Sequence, residues 1–125
     1  MKRILLMDDN ETMQTLLCQL FKLEGFEVLS SSLTQTHDLI HFIQDKKPEA
    51  LILDAHHAQV DSLALLKEIR SHSMLSALRV LIISGMDVRD QFLSAGADGF
   101  ILKPFMPDEI FAWLNQPKSP ERGLL

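Results

Sequence analysis

The sequence predicts an α/β domain built on a five-stranded parallel sheet with helices on both faces. Three observations carry that expectation. Four short apolar runs, Ile4-Leu5-Leu6-Met7, Ala50-Leu51-Ile52-Leu53, Val80-Leu81-Ile82-Ile83 and Phe100-Ile101-Leu102, are each bounded by polar residues, as strands buried on both faces are. Strand-like and helix-like segments alternate five times, the pattern of βα units joined by right-handed crossovers. The runs end on Asp8-Asp9, Asp54, Ser84-Gly85 and Lys103-Pro104, and in open α/β sheets chemistry gathers beyond the carboxyl ends of the strands.

Taken in order, the first strand is expected near residues 3–7 and is followed by Asn10, a good N-cap. Met13, Leu16, Leu17 and Leu20 then recur at helical spacing until Gly25 stops the helix. A second strand near 26–29 leads to a helix starting near Ser32, with Leu39, Ile40 and Ile43 facing inward before Pro48. The third strand is read near 49–53, and its helix carries the stripe Ser62, Leu65, Leu66 and Ile69. The fourth strand, near 79–83, precedes a short, weak helix marked by Val88, Phe92 and Ala95 and ended by Gly96. The fifth strand is placed at 99–102, and the last helix follows Pro107, a suitable first helical residue, with Ile110, Trp113 and Leu114 on one face. One domain is read over residues 1–116; 117–125 hold two prolines among polar residues and read as a tail or the start of a linker.

A chain of 125 residues with 46% hydrophobic and 23% charged residues is the size and composition of one globular domain. A net charge of −5 argues against nucleic-acid binding by this chain, since phosphate contacts need clustered Lys and Arg. Cys18 is the only cysteine, so an internal disulfide is impossible and a reducing compartment is expected. Only four apolar residues separate Lys2-Arg3 from Asp8, too few for a signal-peptide core, and no run approaches the ~20 apolar residues of a membrane span. The expectation is a cytoplasmic domain with no membrane contact. Gly-rich phosphate-binding and dinucleotide fingerprints are absent.

Paired acids beside a third acid suit Mg²⁺, which prefers hard oxygen ligands and keeps several waters; a lone acidic pair at a strand end is more often a solvated loop. The full set is stronger. Asp8-Asp9, Asp54, Ser84 and Lys103-Pro104-Phe105, with Gly96-Ala97-Asp98-Gly99-Phe100 upstream, resembles the receiver domain of two-component response regulators over about residues 1–116. The resemblance implies a flavodoxin-like (βα)5 three-layer sandwich, strand order 2-1-3-4-5, with the site at the topological switch point. It implies that Asp54 is the phosphoacceptor, taking a phosphoryl group from a phosphohistidine of a sensor histidine kinase or phosphotransfer protein. Asp9, Asp54 and the backbone carbonyl of His56 would coordinate Mg²⁺ directly, with Asp8 acting largely through water. Lys103 would place positive charge on one phosphoryl oxygen and Ser84 a hydrogen bond on another, while Phe100 occupies the aromatic switch position. Such a module catalyses its own phosphorylation and hydrolysis rather than acting as a metabolic enzyme, and passes its state to a downstream effector domain or protein. His56 and Met86, two residues beyond Asp54 and Ser84, would flank the approach of the hydrolytic water: Met86 as an obstruction, His56 as a group that accepts its proton or holds it.

Three departures from the family pattern qualify these expectations. After Asp54 the family usually has Met-Pro and then Gly, where this chain has Ala58 and Ser62 in the Pro and Gly places; efficient Mg²⁺ binding depends on how that loop bends. Ser84 and Lys103 stand closer than usual by roughly one helical turn, which shortens the fourth helix and favours a monomer or an atypical dimer. Met106 replaces a polar residue, weakening the N-cap of the last helix. A phosphorylation-independent interaction scaffold on the same fold is the alternative suggested by the altered loop. A flavin-binding carrier is disfavoured because no Ser/Thr/Gly-rich loop follows the first strand. Outside this constellation, His37 and His41 at i,i+4, with Asp45 one turn on, have the spacing of a transition-metal pair, although a solvated helix face is the simpler reading. Trp113 and Cys18 read as packing residues.

Overall fold

The computed structural model describes residues 2–116; the tail read at 117–125 lies outside the described residues. Strands β1 (Arg3–Met7), β2 (Glu27–Leu29), β3 (Ala50–Asp54), β4 (Arg79–Ser84) and β5 (Gly99–Leu102) form one parallel sheet in the order β2-β1-β3-β4-β5. They alternate with α1 (Glu11–Leu23), α2 (Thr36–Lys46), α3 (Ser62–Ser71), α4 (Arg89–Ser94) and α5 (Pro107–Leu114). The period-two geometry of a strand divides the core in two. Ile4, Leu6, Ile52, Leu81 and Ile83 pack under α1 and α5 through Leu17, Phe21, Ile110 and Leu114. On the other face, Leu5, Met7, Leu51, Leu53, Val80 and Ile82 meet Leu39, Ile40, Ile43, Leu65, Leu66, Ile69 and Phe92 of α2, α3 and α4. Among the described residues, no helix is long and apolar enough to cross a membrane.

Two sequence expectations need correction. The second helix begins at Thr36, not near Ser32: the Leu33 N–H donates to Ser31 Oγ at 3.1 Å, a local side-chain bond that competes with helix formation. Leu16 does not join the inward stripe of α1 and is 47% exposed. The buried line runs through Leu17 and Phe21 instead, and Phe21 packs edge-on against Phe26 and Phe111 at ring-centroid distances of 6.1 and 5.4 Å. The Asn10 cap forms, its Oδ1 accepting from the Met13 N–H at 3.0 Å. Met106 offers no comparable oxygen at α5, but its own N–H donates to the Glu109 carboxylate at 2.7 Å, so half of a capping box survives. Cys18 is half-buried, and burial, opposed by Lys22, raises its thiol pKa.

The Gly96-Ala97-Asp98-Gly99 stretch has a structural job. Gly96 follows α4 at φ +109°, a left-handed conformation that favours glycine, and a Cβ there would run into the Arg70 side chain. Arg70 crosses from α3, donating from Nε to Gly96 O at 2.8 Å and from its guanidinium to Asp98 Oδ2 at 2.8 Å. That carboxylate oxygen also accepts the Val80 N–H at 2.7 Å. A Cβ on Gly99 would collide with the Trp113 indole. Trp113 in turn lies under the Arg79 guanidinium, 4.1 Å from the ring centroid, while Arg79 donates to the Trp113 and Leu114 carbonyls at 2.8 and 3.1 Å. Trp113 is therefore a packing residue that fixes the end of α5.

Candidate functional site

Sheet register brings the site together. Met7 pairs with Leu53, Asp54 with Ile83, and Ser84 with Leu102, so Asp8, Asp54, Ser84 and Lys103 emerge at one level along the sheet's carboxyl rim. Lys103 Nζ stands 2.9 Å from Asp54 Oδ2 and 3.5 Å from Asp8 Oδ2. Burial by itself would lower the pKa of this ammonium, but the hydrogen bond and charge of Asp54, reinforced by Asp8, outweigh it and raise the pKa. The group stays cationic at neutral pH. The Lys103-Pro104 peptide is cis.

Carboxylate oxygens of Asp8, Asp9 and Asp54 lie within 4.8 Å of one another. Asp8 and Asp54 are buried and Asp9 is exposed, an arrangement with two walls and an open side. Each acid is fixed by a separate backbone contact. The Asn10 N–H donates to Asp8 Oδ1 at 2.9 Å, the His56 N–H to Asp54 Oδ1 at 2.9 Å, and the Ala58 N–H to Asp9 Oδ2 at 2.8 Å. The altered loop after Asp54 thus bends back to the site despite lacking the family's usual proline. Ser62, in the place where the family usually has Gly, is buried and donates its hydroxyl to the Asp54 backbone carbonyl. This bond closes the loop onto β3.

Ser84 is fully buried, and its hydroxyl is already engaged: it donates to Met86 O at 2.7 Å and accepts the Met86 N–H at 3.0 Å. His56 Nδ1 lies 3.4 Å from the same oxygen, so His56 and Ser84 face each other. Met86 is exposed at the rim. Phe100 is half-buried, with the Arg89 guanidinium 5.4 Å from its ring centroid. The structure thus joins Asp8, Asp54 and Lys103 through direct side-chain contacts and sets His56 beside Ser84.

Sequence reasoning missed three supporting residues. Gln14 donates from Nε2 to Leu6 O and accepts the Asp8 N–H on Oε1, both at 3.0 Å, fixing the turn between β1 and α1. Ser62 clamps the loop, and Arg70 holds Asp98. Only Ser62 left a signal, as a hydroxyl in a position where the resemblance leads one to expect glycine.

Comparison with known proteins agrees with this geometry. Residues 4–115 match the response regulator receiver domain family. The chain is 30% identical over 110 residues to the regulatory protein AtoC of Escherichia coli, an alignment covering 86% of this chain and 23% of AtoC. It is 28% identical over 116 residues to the alkaline phosphatase synthesis transcriptional regulatory protein PhoP of Bacillus subtilis, covering 89% of this chain and 46% of PhoP. The chain therefore spans less than half the length of either relative. Among solved structures, the signal receiver domain of a response regulator from Bermanella marisrubri superposes with a TM-score of 0.79 at 24% identity, over 90% of this chain and 93% of that one. The response regulator TrrA of Thermotoga maritima, solved with Mg²⁺ and BeF, gives 0.77 at 23% identity, over 91% and 96%.

Proposed function

We propose, since the chain belongs to the response regulator receiver domain family, that Asp54 accepts a phosphoryl group from a sensor histidine kinase or phosphotransfer protein in a Mg²⁺-dependent reaction. The observation that carries this reading is the contact of Lys103 Nζ with Asp54 Oδ2 at 2.9 Å, beside the oxygens of Asp8 and Asp9. The donor set fits the metal: three carboxylates on an open rim are hard oxygen ligands with room for water. Asp9, Asp54 and the His56 backbone carbonyl would hold Mg²⁺ directly and Asp8 through water. When bound, the ion offsets the charge that accumulates among carboxylates and phosphoryl oxygens.

The chain's own residues then divide the work. An Asp54 carboxylate oxygen attacks phosphorus, the bond from phosphorus to the donor imidazole breaks, and its electron pair leaves with the donor nitrogen. Lys103 moves from the carboxylate to a phosphoryl oxygen, stabilising charge where it develops. Ser84 would exchange its bond to Met86 O for one to another phosphoryl oxygen, drawing the loop at 85–88 inward. Phosphorylation shifts that equilibrium only by as much as its new contacts favour the inward state. Phe100 would leave Arg89 as it turns. The face of α4, β5 and α5 is where an effector domain or protein would read the change; Leu93, Leu102 and Met106 are exposed there. With α4 reduced to Arg89–Ser94, the proposed assembly is a monomer or an atypical dimer.

Incubation with acetyl phosphate and Mg²⁺, read by intact mass and peptide mapping, is expected to add one phosphoryl group at Asp54. Beryllofluoride with Mg²⁺ should shift the NMR signals of Ser84 and Phe100. No Mg²⁺-dependent change in either experiment would replace this reading with the phosphorylation-independent scaffold.

His56 supplies a second test. With its ring beside Ser84, His56 would stand near the entry of water to the acyl phosphate, where proton acceptance or simple positioning would speed hydrolysis. His56→Ala is expected to lengthen the phosphoryl lifetime, by a factor up to about the 10² at the low end of general-base assistance. An unchanged or shorter lifetime would show that His56 does not assist the water.

A further inference from the structure

On the flank of the domain, α2 and α3 pack side by side and border a cleft lined by three histidines and a glutamate. His37 and His41 stand one turn apart on α2, with ring centroids 4.5 Å apart and planes at 78°. Facing them are Glu68 and His72 at the end of α3, where His72 Nε2 lies 3.4 Å from Glu68 Oε1. All four line one cleft of about 360 Å³. Asp45, the third ligand suggested by the spacing along α2, does not line it and lies instead beside Lys46, with 3.7 Å between Oδ2 and Nζ.

We propose that this cleft is a binding site for a transition-metal ion of the Zn²⁺ class, held by His37, His41 and His72 with Glu68 as the fourth ligand. Three imidazoles and a carboxylate match the tetrahedral preference of Zn²⁺ and do not suit Mg²⁺, which selects oxygen. The two metals would therefore sort between two sites on one small domain. The four donors do not yet converge: among the described residues, only Asp8, Asp9 and Asp54 form a group of three whose ligand atoms already lie within 4.8 Å of one another. Closure would come through rotation of these side chains. The side chains of His72 and Glu68 are 37% and 51% exposed, and exposed side chains change rotamer within nanoseconds. A closed site would tie α2 to α3 independently of events at Asp54.

The test is a Zn²⁺ titration of the protein in excess Mg²⁺, followed by histidine-ring NMR and thermal melting. One equivalent of Zn²⁺ is expected to move the ring signals of His37, His41 and His72 together and to raise Tm in a saturable way. His41→Ala should weaken binding by at least about 10–100-fold, since loss of even an outer-shell partner costs that much, and should remove the Tm rise. His72→Ala separates a site spanning both helices from a pair on α2 alone. Unchanged affinity in His72→Ala, no binding in the parent protein, or Zn²⁺-induced shifts confined to the Asp8, Asp9 and Asp54 carboxylates would each overturn the proposal. These three histidines lie at exposed or half-exposed positions, so each variant should fold as the parent does, which circular dichroism checks.

Discussion

Asp54→Asn is expected to yield a folded protein that takes up no phosphoryl group from acetyl phosphate and Mg²⁺. An amide matches the carboxylate in volume, and its oxygen can still accept the His56 N–H that now donates to Asp54 Oδ1 at 2.9 Å, so loop and strand should keep their places. What disappears is the anionic nucleophile, and with it the 2.9 Å ion pair to Lys103. Lys103 retains Asp8, at 3.5 Å. Asp9→Asn separates the roles. It should weaken Mg²⁺ binding and slow labelling while leaving Asp54 as the acceptor, and raising Mg²⁺ should recover part of the rate. Intact mass distinguishes the two variants directly. Stoichiometric labelling of Asp54→Asn would move the acceptor elsewhere and remove Asp54 from the centre of the mechanism.

These predictions rest on features that differ in how plainly the sequence displays them. The apolar runs ending in Asp8, Asp54, Ser84 and Lys103 are local, and a run of four or five branched residues is readable because a central parallel strand is buried on both faces. Convergence of their ends follows once strand order is known, since parallel register sets the rim at one level. Helix starts are harder to place. The serines at 30–32 offer caps that a pattern reader takes as the beginning of α2, yet Ser31 spends its hydroxyl on the Leu33 N–H, and the helix waits for Thr36. Leu16 and Phe21 show the same limit on α1, where four apolar positions are compatible with more than one inward face and tertiary packing selects Phe21. The hydrogen bonds that hold the site are harder still. Gln14, Ser62 and Arg70 act on partners 8, 8 and 28 residues away, and no periodicity marks a polar contact between elements.

The contact at the longest of those separations carries the largest expected effect on stability. Asp98→Ala should destabilise the domain by up to about 3 kcal/mol, the lower end of the range for breaking one partner of a buried ion pair, since this pair is partly buried. The side chains of Arg70 and Asp98 are only 16% and 11% exposed, and the same carboxylate oxygen satisfies the Val80 N–H. Removing it takes the carboxylate from the Arg70 guanidinium, which keeps its bond to Gly96 O, and takes the side-chain acceptor from the Val80 N–H in a site that water reaches poorly. The exposed pair between Arg3 and Glu27 has the same 2.8 Å separation but side chains 46% and 44% exposed. Glu27→Ala should therefore cost no more than the ~0–1 kcal/mol typical of surface pairs. Urea unfolding of the two variants compares them directly, and a lower midpoint at unchanged slope identifies lost stability rather than altered compactness. Below its unfolding transition, Asp98→Ala should still accept phosphoryl at Asp54, because Arg70 and Asp98 fasten α3 to β4 and the start of β5 without touching the acidic cluster. A cost for Asp98→Ala no larger than that for Glu27→Ala would mean that solvent screens both pairs alike, and that the Gly96-to-Gly99 segment does not depend on the ion pair.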